Sequence, residues 1–260
     1  MDTNAAWGMA IDFDDPCVAI IKHTNPAGLA VAPTLAQAYP KSLAGDPVSA
    51  FGGIVAANRP IDVATAQQIV EVFTEVVIAP GYEAGALEVL QTKKNLRILA
   101  MPNAQRPTGG WDVRSVMGGV LVQHSDVGDE PFEEWTVVTE KQPTPEELED
   151  LKFAWIAAKH VKSNAIVLVK DKAVVGVGAG QMSRIDSTKI AADKSGGRVK
   201  GAVLASDAFF PFRDGPDAAI DFGVTAIVQP GGSIRDQEVF DAANERGIVM
   251  ITTGRRHFRH

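Results

Sequence analysis

Cysteine is almost absent from this chain: Cys17 is the only one in 260 residues. A lone thiol forms no intrachain disulfide and closes no cysteine-based zinc site. Long apolar runs are also missing, and no stretch approaches the roughly 20 residues that a membrane-spanning helix requires. The opening Met1-Asp2-Thr3-Asn4 lacks the basic start of a signal peptide. These absences predict a cytoplasmic protein with no membrane partner. Positive charge is in deficit too, with a formal net charge of −7. That argues against a nucleic-acid partner, because phosphate neutralisation draws on clustered Lys and Arg. A small anionic ligand needs only a local positive pocket and stays compatible.

What the chain does have is enough apolar material for a core, at 45% hydrophobic residues. Its length exceeds one average domain, so two compact lobes or one large one are both open. Apolar β-type runs at 17–22, 53–57, 76–79 and 96–100 alternate with helical spacing at 62–73 and 83–90. Asp62 is placed as a helix N-cap. This alternation predicts an α/β protein with largely covered sheets. Residues 101–143 break the rhythm with Pro102, Pro107, Gly109, Gly110 and Pro131, plus β-like stretches at 116–123 and 135–139. They read as a crossover between a first lobe, 1–125, and a second, 126–260. Thr144, Pro145 and Glu147 then spell a capping box at a helix start, followed by the stripe Leu148, Leu151, Trp155, Ala158 and Val161. Strands are predicted at 165–169, 174–177, 202–205, 226–228 and 248–251, and helices at 185–194, 217–222 and 236–246.

The informative polar residues follow apolar strands, where open α/β sheets bind ligands. Lys22 and His23 leave the first strand and enter Thr24-Asn25-Pro26-Ala27-Gly28. This is either a plain polar turn or a site where a neutral imidazole accepts a proton beside an ammonium. Lys162-Ser163-Asn164 suits the C-terminal end of a helix as well as a ligand. The glycines of 176–180 permit close backbone approach, and Arg184 near a helix start offers a guanidinium fork for phosphate. As a dinucleotide loop this pattern is weak, because no acidic residue follows at the right place. Phe209, Phe210 and Phe212, next to Asp207 and Asp214, make either a core corner or an aromatic wall for a planar heterocycle. Gln229-Pro230-Gly231-Gly232-Ser233-Ile234 is a glycine turn before a helix. Arg255-Arg256-His257-Phe258-Arg259-His260 is a basic, aromatic terminus that could equally be solvated. His124 and His160 have no metal-pair spacing and read as structural or surface residues.

Taken in order, KHTNPAG, DPVSAFGG, VVIAPGYE, KSNAIV, GAGQMSR, SDAFFPFRDG and QPGGSIRD resemble the bifunctional purine biosynthesis family. That family joins 5-aminoimidazole-4-carboxamide ribonucleotide (AICAR) formyltransferase to IMP cyclohydrolase, and the likeness, running from about Asp2 to His260, is to the formyltransferase part. The resemblance implies two cytidine-deaminase-like α/β/α lobes, no catalytic metal, 10-formyltetrahydrofolate as co-substrate, and a homodimer with active sites at the subunit interface. It implies His23 as the proton acceptor and Lys22 as the group that stabilises the transition state. Gly52, Glu75, Asn164, Arg184 and Arg256 match nucleotide-contacting positions, and Asp214 the pocket edge. Ile185, Phe209, Ser233 and Ile234 match folate-contacting positions. Ala27 stands where many bacterial relatives carry Cys, so that cysteine is not the chemical nucleophile.

The chain begins beyond the cyclohydrolase domain and an upstream Arg-Tyr pair of the family, so no ring-closing activity is expected of it. A non-catalytic nucleotide-binding or dimerisation fragment is the alternative. A zinc-dependent deaminase, suggested by fold alone, lacks its cysteine ligands.

Overall fold

The computed structural model describes residues 1–103, 105–127 and 130–260. Helix α1 (Asp2–Ile11) leads into the hairpin β1 (Cys17–Lys22) and β2 (Asn25–Val31), then α2 (Leu35–Leu43) and the single turn α3 (Pro47–Ala50). Next come β3 (Gly53–Ala57), α4 (Val63–Ile69), β4 (Thr74–Ala79), α5 (Ala84–Gln91) and β5 (Arg97–Ala100). The connecting segment holds β6 (Trp111–Val116), β7 (Gly119–His124) and the short β8 (Thr136–Val137). The remainder is α6 (Pro145–Lys159), β9 (Ile166–Lys170), β10 (Ala173–Gly178), α7 (Arg184–Lys194), β11 (Val203–Ser206), α8 (Asp214–Phe222), β12 (Ala226–Gln229), α9 (Asp236–Glu245) and β13 (Val249–Thr252).

The α/β architecture expected from the alternation is the one adopted. One mixed sheet runs β5-β4-β3-β1-β2-β10-β9-β11-β12-β13-β8. The chain is built twice on the same plan. In the first half β1 pairs antiparallel with both β2 and β3, and β3, β4 and β5 are parallel. In the second, β9 pairs antiparallel with β10 and β11, and β11, β12 and β13 are parallel. The halves join where β2 meets β10 antiparallel at Ala30 and Ala173. The sequence shows the two halves alike only in coarse rhythm; the likeness lies in the connectivity.

Period-two alternation explains the layers. Cys17, Ala19, Ile21, Val167 and Val169 face a core shared with Met9 of α1 and Trp155 of α6. Their neighbours Val18 and Ile20 pack under α2, α4 and α5 with Leu35, Ile69 and Leu90. Ile166 and Leu168 do the same under α7, α8 and α9, with Ala191, Ala219 and Val239. Local signals start the helices as expected. Asp62 accepts the Thr65 N–H at 2.7 Å. The Thr144 hydroxyl accepts from Glu147 N–H at 3.1 Å, while the Glu147 carboxylate accepts from Thr144 N–H at 3.0 Å.

Three readings are corrected. Residues 25–31 form a strand, not a polar turn. Pro26 is tolerated because the pairing is bulged between Ile20 and Ile21. Gly28 serves packing, since a Cβ there would lie 1.8 Å from the Ser42 carbonyl oxygen of α2. Helix α4 ends at Ile69 instead of running to 73, because Thr74 already opens β4. The β-like run at 116–123 is the turn and return strand of the β6–β7 hairpin, which forms its own small sheet.

Candidate active site

Both hairpins turn on two residues in the left-handed region, His23 and Thr24 (φ 50° and 63°) and Asp171 and Lys172 (φ 54° and 53°). Such turns match the twist of the strands they join but strain non-glycine residues. Each is held from the preceding helix by an aspartate. Asp2 accepts the His23 N–H at 3.2 Å, and Asp150 accepts the N–H groups of Asp171 and Lys172 at 2.9 and 2.7 Å. The first turn thus presents an exposed imidazole at the tip of a buried strand pair. Lys22 Nζ beside it donates to the carbonyls of Phe51 at 2.8 Å and Gly52 at 3.0 Å. Together with Asn25, Asp46, Ser49 and Lys194, Lys22 and His23 line a cavity of about 290 Å³ at the seam between the halves. Lys194 and Asp46 form an ion pair there at 2.8 Å; sequence reading passed over both, since neither follows a strand.

A second cavity, of about 480 Å³, is lined by Asn164, Arg184, Ile185, Phe209, Asp214 and Arg256, among others. Phe209, Phe210 and Phe212 all line this cavity, Phe210 from a fully buried position. Arg184 is buried and its fork is used internally. Nη1 donates to Ser206 Oγ at 2.8 Å and Asp207 Oδ1 at 2.5 Å, and Nη2 donates to Asn164 Oδ1 at 2.8 Å. Asn164 Nδ2 in turn donates to the Met182 carbonyl at 3.0 Å. The guanidinium expected to meet a phosphate lines this cavity and also holds the Asn164 carboxamide, and Arg256, exposed on the same cavity, lies over Phe258 at 5.3 Å.

Among the described residues, the two groups line separate cavities. They are linked by a side chain: Asn25 Oδ1 accepts the Lys162 N–H at 3.0 Å, tying the His23 hairpin to the Lys162-Ser163-Asn164 loop. Gly52 adopts φ 69° behind Lys22. Glu75 lies on β4, half-exposed and 3.6 Å from Arg97. Ser233 and Ile234 border neither cavity: the Ser233 backbone N–H and hydroxyl bind Asp236 and Arg235 N–H, and Ile234 is fully exposed. The glycines of β10 pack closely against a helix. A Cβ on Gly176 would sit 2.1 Å from the Ala191 oxygen, and one on Gly178 1.9 Å from the Ser187 oxygen, both in α7.

The C-terminal segment that carries Arg256 is clamped at His257, while Arg255, Arg256, Phe258 and His260 stay exposed. His257 is buried, with Nδ1 2.7 Å from Asp126 and Nε2 3.3 Å from Glu130. Burial opposes its charge, but the two carboxylates prevail and push it up to about 9. Trp155 Nε1 donates to Glu130 at 3.0 Å. His160 is structural: its Nε2 meets Asp12 at 2.6 Å, beside Lys159 at 2.9 Å. Burial opposes ionisation of Asp12, yet His160 and Lys159 hold its carboxyl down to about 2. His124 stacks on Trp111 at 4.3 Å. No group of three or more His, Cys, Asp or Glu among the described residues is arranged to hold a metal ion. No helix among them is long and apolar enough to cross a membrane.

A family profile described as "AICARFT/IMPCHase bienzyme" matches residues 1–194. Among known proteins, the chain is 52% identical over 261 residues to the bifunctional purine biosynthesis protein PurH of Desulfitobacterium hafniense, covering 100% of this chain and 50% of that one. The PurH of Parvibaculum lavamentivorans is 52% identical over 273 residues, covering 100% and 51%. That of Cereibacter sphaeroides is 53% identical over 275 residues, covering 100% and 52%. The chain spans about half the length of the curated relatives it matches. Identity at this level along the whole chain leaves no ambiguity of kinship: the chain belongs to the AICARFT/IMPCHase bienzyme family.

Proposed function

We propose that this chain carries the formyltransferase activity of its family, moving the formyl group of 10-formyltetrahydrofolate to the 5-amino group of AICAR in purine biosynthesis. The observation that carries this reading is the His23 hairpin: an imidazole held on a strained turn beside an ammonium anchored to two carbonyls. The amine of AICAR is a poor nucleophile, because its lone pair is delocalised into the ring and carboxamide. As its nitrogen bonds to the formyl carbon, His23 accepts the amine proton, a contribution on the order of 10²–10⁴-fold. Lys22 donates to the formyl oxygen as negative charge develops there. The bond from that carbon to the folate nitrogen then breaks, and the proton passes to the departing nitrogen. Asn164, set by Arg184, orients the carboxamide of AICAR. Arg256 meets the phosphate or ribose end, Asp214 the pocket edge, and Phe209 and Ile185 flank the folate. By resemblance, Gly52 and Glu75 complete the nucleotide contacts and Ser233 and Ile234 the folate contacts.

We further propose that a second copy completes the site. His23 and Lys22 line one cavity and Asn164 and Phe209 another, so a homodimer that sets the first against the partner's second unites them. The β6–β7 hairpin supports an interface between copies, with Trp111, Val113, Leu121 and Val122 all more than half exposed. The duplicated connectivity agrees with two cytidine-deaminase-like lobes, 1–125 and 126–260, and a cytoplasmic location suits the chemistry. The test is formyl transfer to AICAR followed by product absorbance in the parent chain and in His23→Ala. Transfer by the parent and its loss in the variant support the reading. Binding of AICAR with no transfer by the parent would instead mark a nucleotide-binding fragment.

A further inference from the structure

The duplicated halves provide an internal comparison at the residue that follows the third strand of each. Asn58 follows β3 and Asp207 follows β11. Asn58 N–H donates to the Cys17 carbonyl at 3.3 Å, and its Oδ1 accepts the Cys17 N–H at 2.8 Å. Asp207 N–H donates to the Ala165 carbonyl at 3.3 Å, and its Oδ1 accepts the Ala165 N–H at 3.1 Å. Each closes the same two-bond clasp where the first hairpin strand begins. Both are buried, at 8% and 0% exposure, so the clasp itself is served equally well by a neutral amide.

The remaining bonds differ. Asn58 Nδ2 donates to the carbonyls of Phe13 and Asp15 at 2.7 and 2.9 Å. Asp207 instead accepts from Ser163 Oγ and from Arg184 Nη1, both at 2.5 Å. Arg184 is the first residue of α7, and the first residue of α2 in the other half is Leu35, buried in the core. Carboxylate and guanidinium thus occur together in one half, amide and leucine in the other. A buried ion pair carries a desolvation penalty that packed apolar residues avoid. The first half shows that this fold stands without the pair. What the second half gains is a guanidinium locked on one side, so that its other nitrogen reaches Asn164 Oδ1 at 2.8 Å.

We propose that Asp207 is a positioning residue: through Arg184 and Ser163 it sets the Asn164 carboxamide at the wall of the cavity that holds Phe209 and Arg256. Its consequence for turnover rests on the formyl-transfer reading; the positioning itself does not. Asp207→Asn keeps the clasp, as Asn58 shows, while it removes the charge facing Arg184 and replaces the oxygen that accepts from Ser163 Oγ with an N–H donor.

Nitrogen-detected NMR of the full chain reads the guanidinium directly, with the Arg184 signal assigned by its loss in Arg184→Lys. The parent should show a protected Arg184 guanidinium. In Asp207→Asn that protection is weakened, because Oδ1 still accepts but no longer carries charge, and the Asn164 side-chain amide shifts, while the Ala165 backbone amide stays protected. In kinetics, Asp207→Asn should lower kcat about tenfold or more, and less than about twofold in an Arg184→Lys background, because both act through one unit. An unmoved Arg184 signal, or losses that multiply in the double variant, would overturn the proposal. If Asp207→Asn does not fold, Asp207→Glu decides it: with the charge kept and the carboxylate moved, the Arg184 signal and the Asn164 amide must both shift, and an unmoved Asn164 amide overturns the proposal. A parent chain without formyl transfer would defeat the functional reading and leave the NMR result to judge the positioning.

Discussion

A Cβ added to Gly52 would lie 3.0 Å from the Nζ of Lys22. The missing side chain therefore makes room for the ammonium while the Gly52 carbonyl binds it. Gly52→Ala adds crowding to a backbone at φ 69°. The expected outcome is a stability loss of about 1–3 kcal/mol by urea unfolding, with a fall in turnover larger than any change in nucleotide affinity. Normal turnover in a destabilised variant would show that the Lys22 position is immaterial.

Thr24 is the reverse case, a β-branched residue at φ 63° where glycine is at ease. Thr24→Gly should stabilise the chain by about 1 kcal/mol. Thermal unfolding checks this directly, and a lower midpoint would mean that the Thr24 side chain makes a contact worth more than the strain.

Much of this framework is legible in the sequence and some is not. Asp62, the Thr144–Glu147 box and the apolar strands are local signals, and each does in the structure what its chemistry predicts. The strand at 25–31 is hidden because Pro26 and Gly28 look like turn residues, and only the bulge and the pressing α2 explain them. The glycines of 176–180 look like a ligand loop for the same reason. Close helix packing and close ligand approach leave the same mark on a sequence. The bonds of Arg184 are not legible in the sequence, because its partners Ser206, which ends β11, and Asp207, just after it, lie more than twenty residues away.

Gly178→Ala separates those two explanations. The added methyl meets a backbone oxygen at 1.9 Å, so α7 must lift from β10. Overpacking of this kind costs typically 1–3 kcal/mol, here at the upper end or beyond. Urea unfolding should show it without any ligand present, and an unchanged midpoint would return the glycine to a ligand-binding role.

His257 makes stability depend on alkali. Its folded value, about 9, stands above the ordinary 6.5, so its contribution is fully present below 6.5 and lost as pH rises through about 9. The facing groups are Asp126, Glu130 and Trp155, with Lys159 near Glu130 at 3.9 Å. The stability gap between the parent and His257→Gln should narrow steadily across that window. A gap independent of pH would mean that the clamp on the C-terminal segment is not ionic.

The division of the site between two copies is tested most directly by mixing two inactive variants. His23→Ala breaks one cavity and Asn164→Ala the other, so each alone should be inactive in formyl transfer. Co-refolded in equal amounts, half the dimers are mixed and hold one intact site of two, giving back about a quarter of the parent activity. No recovery, with mixed dimers shown to form, would place the whole site within a single chain and contradict the account.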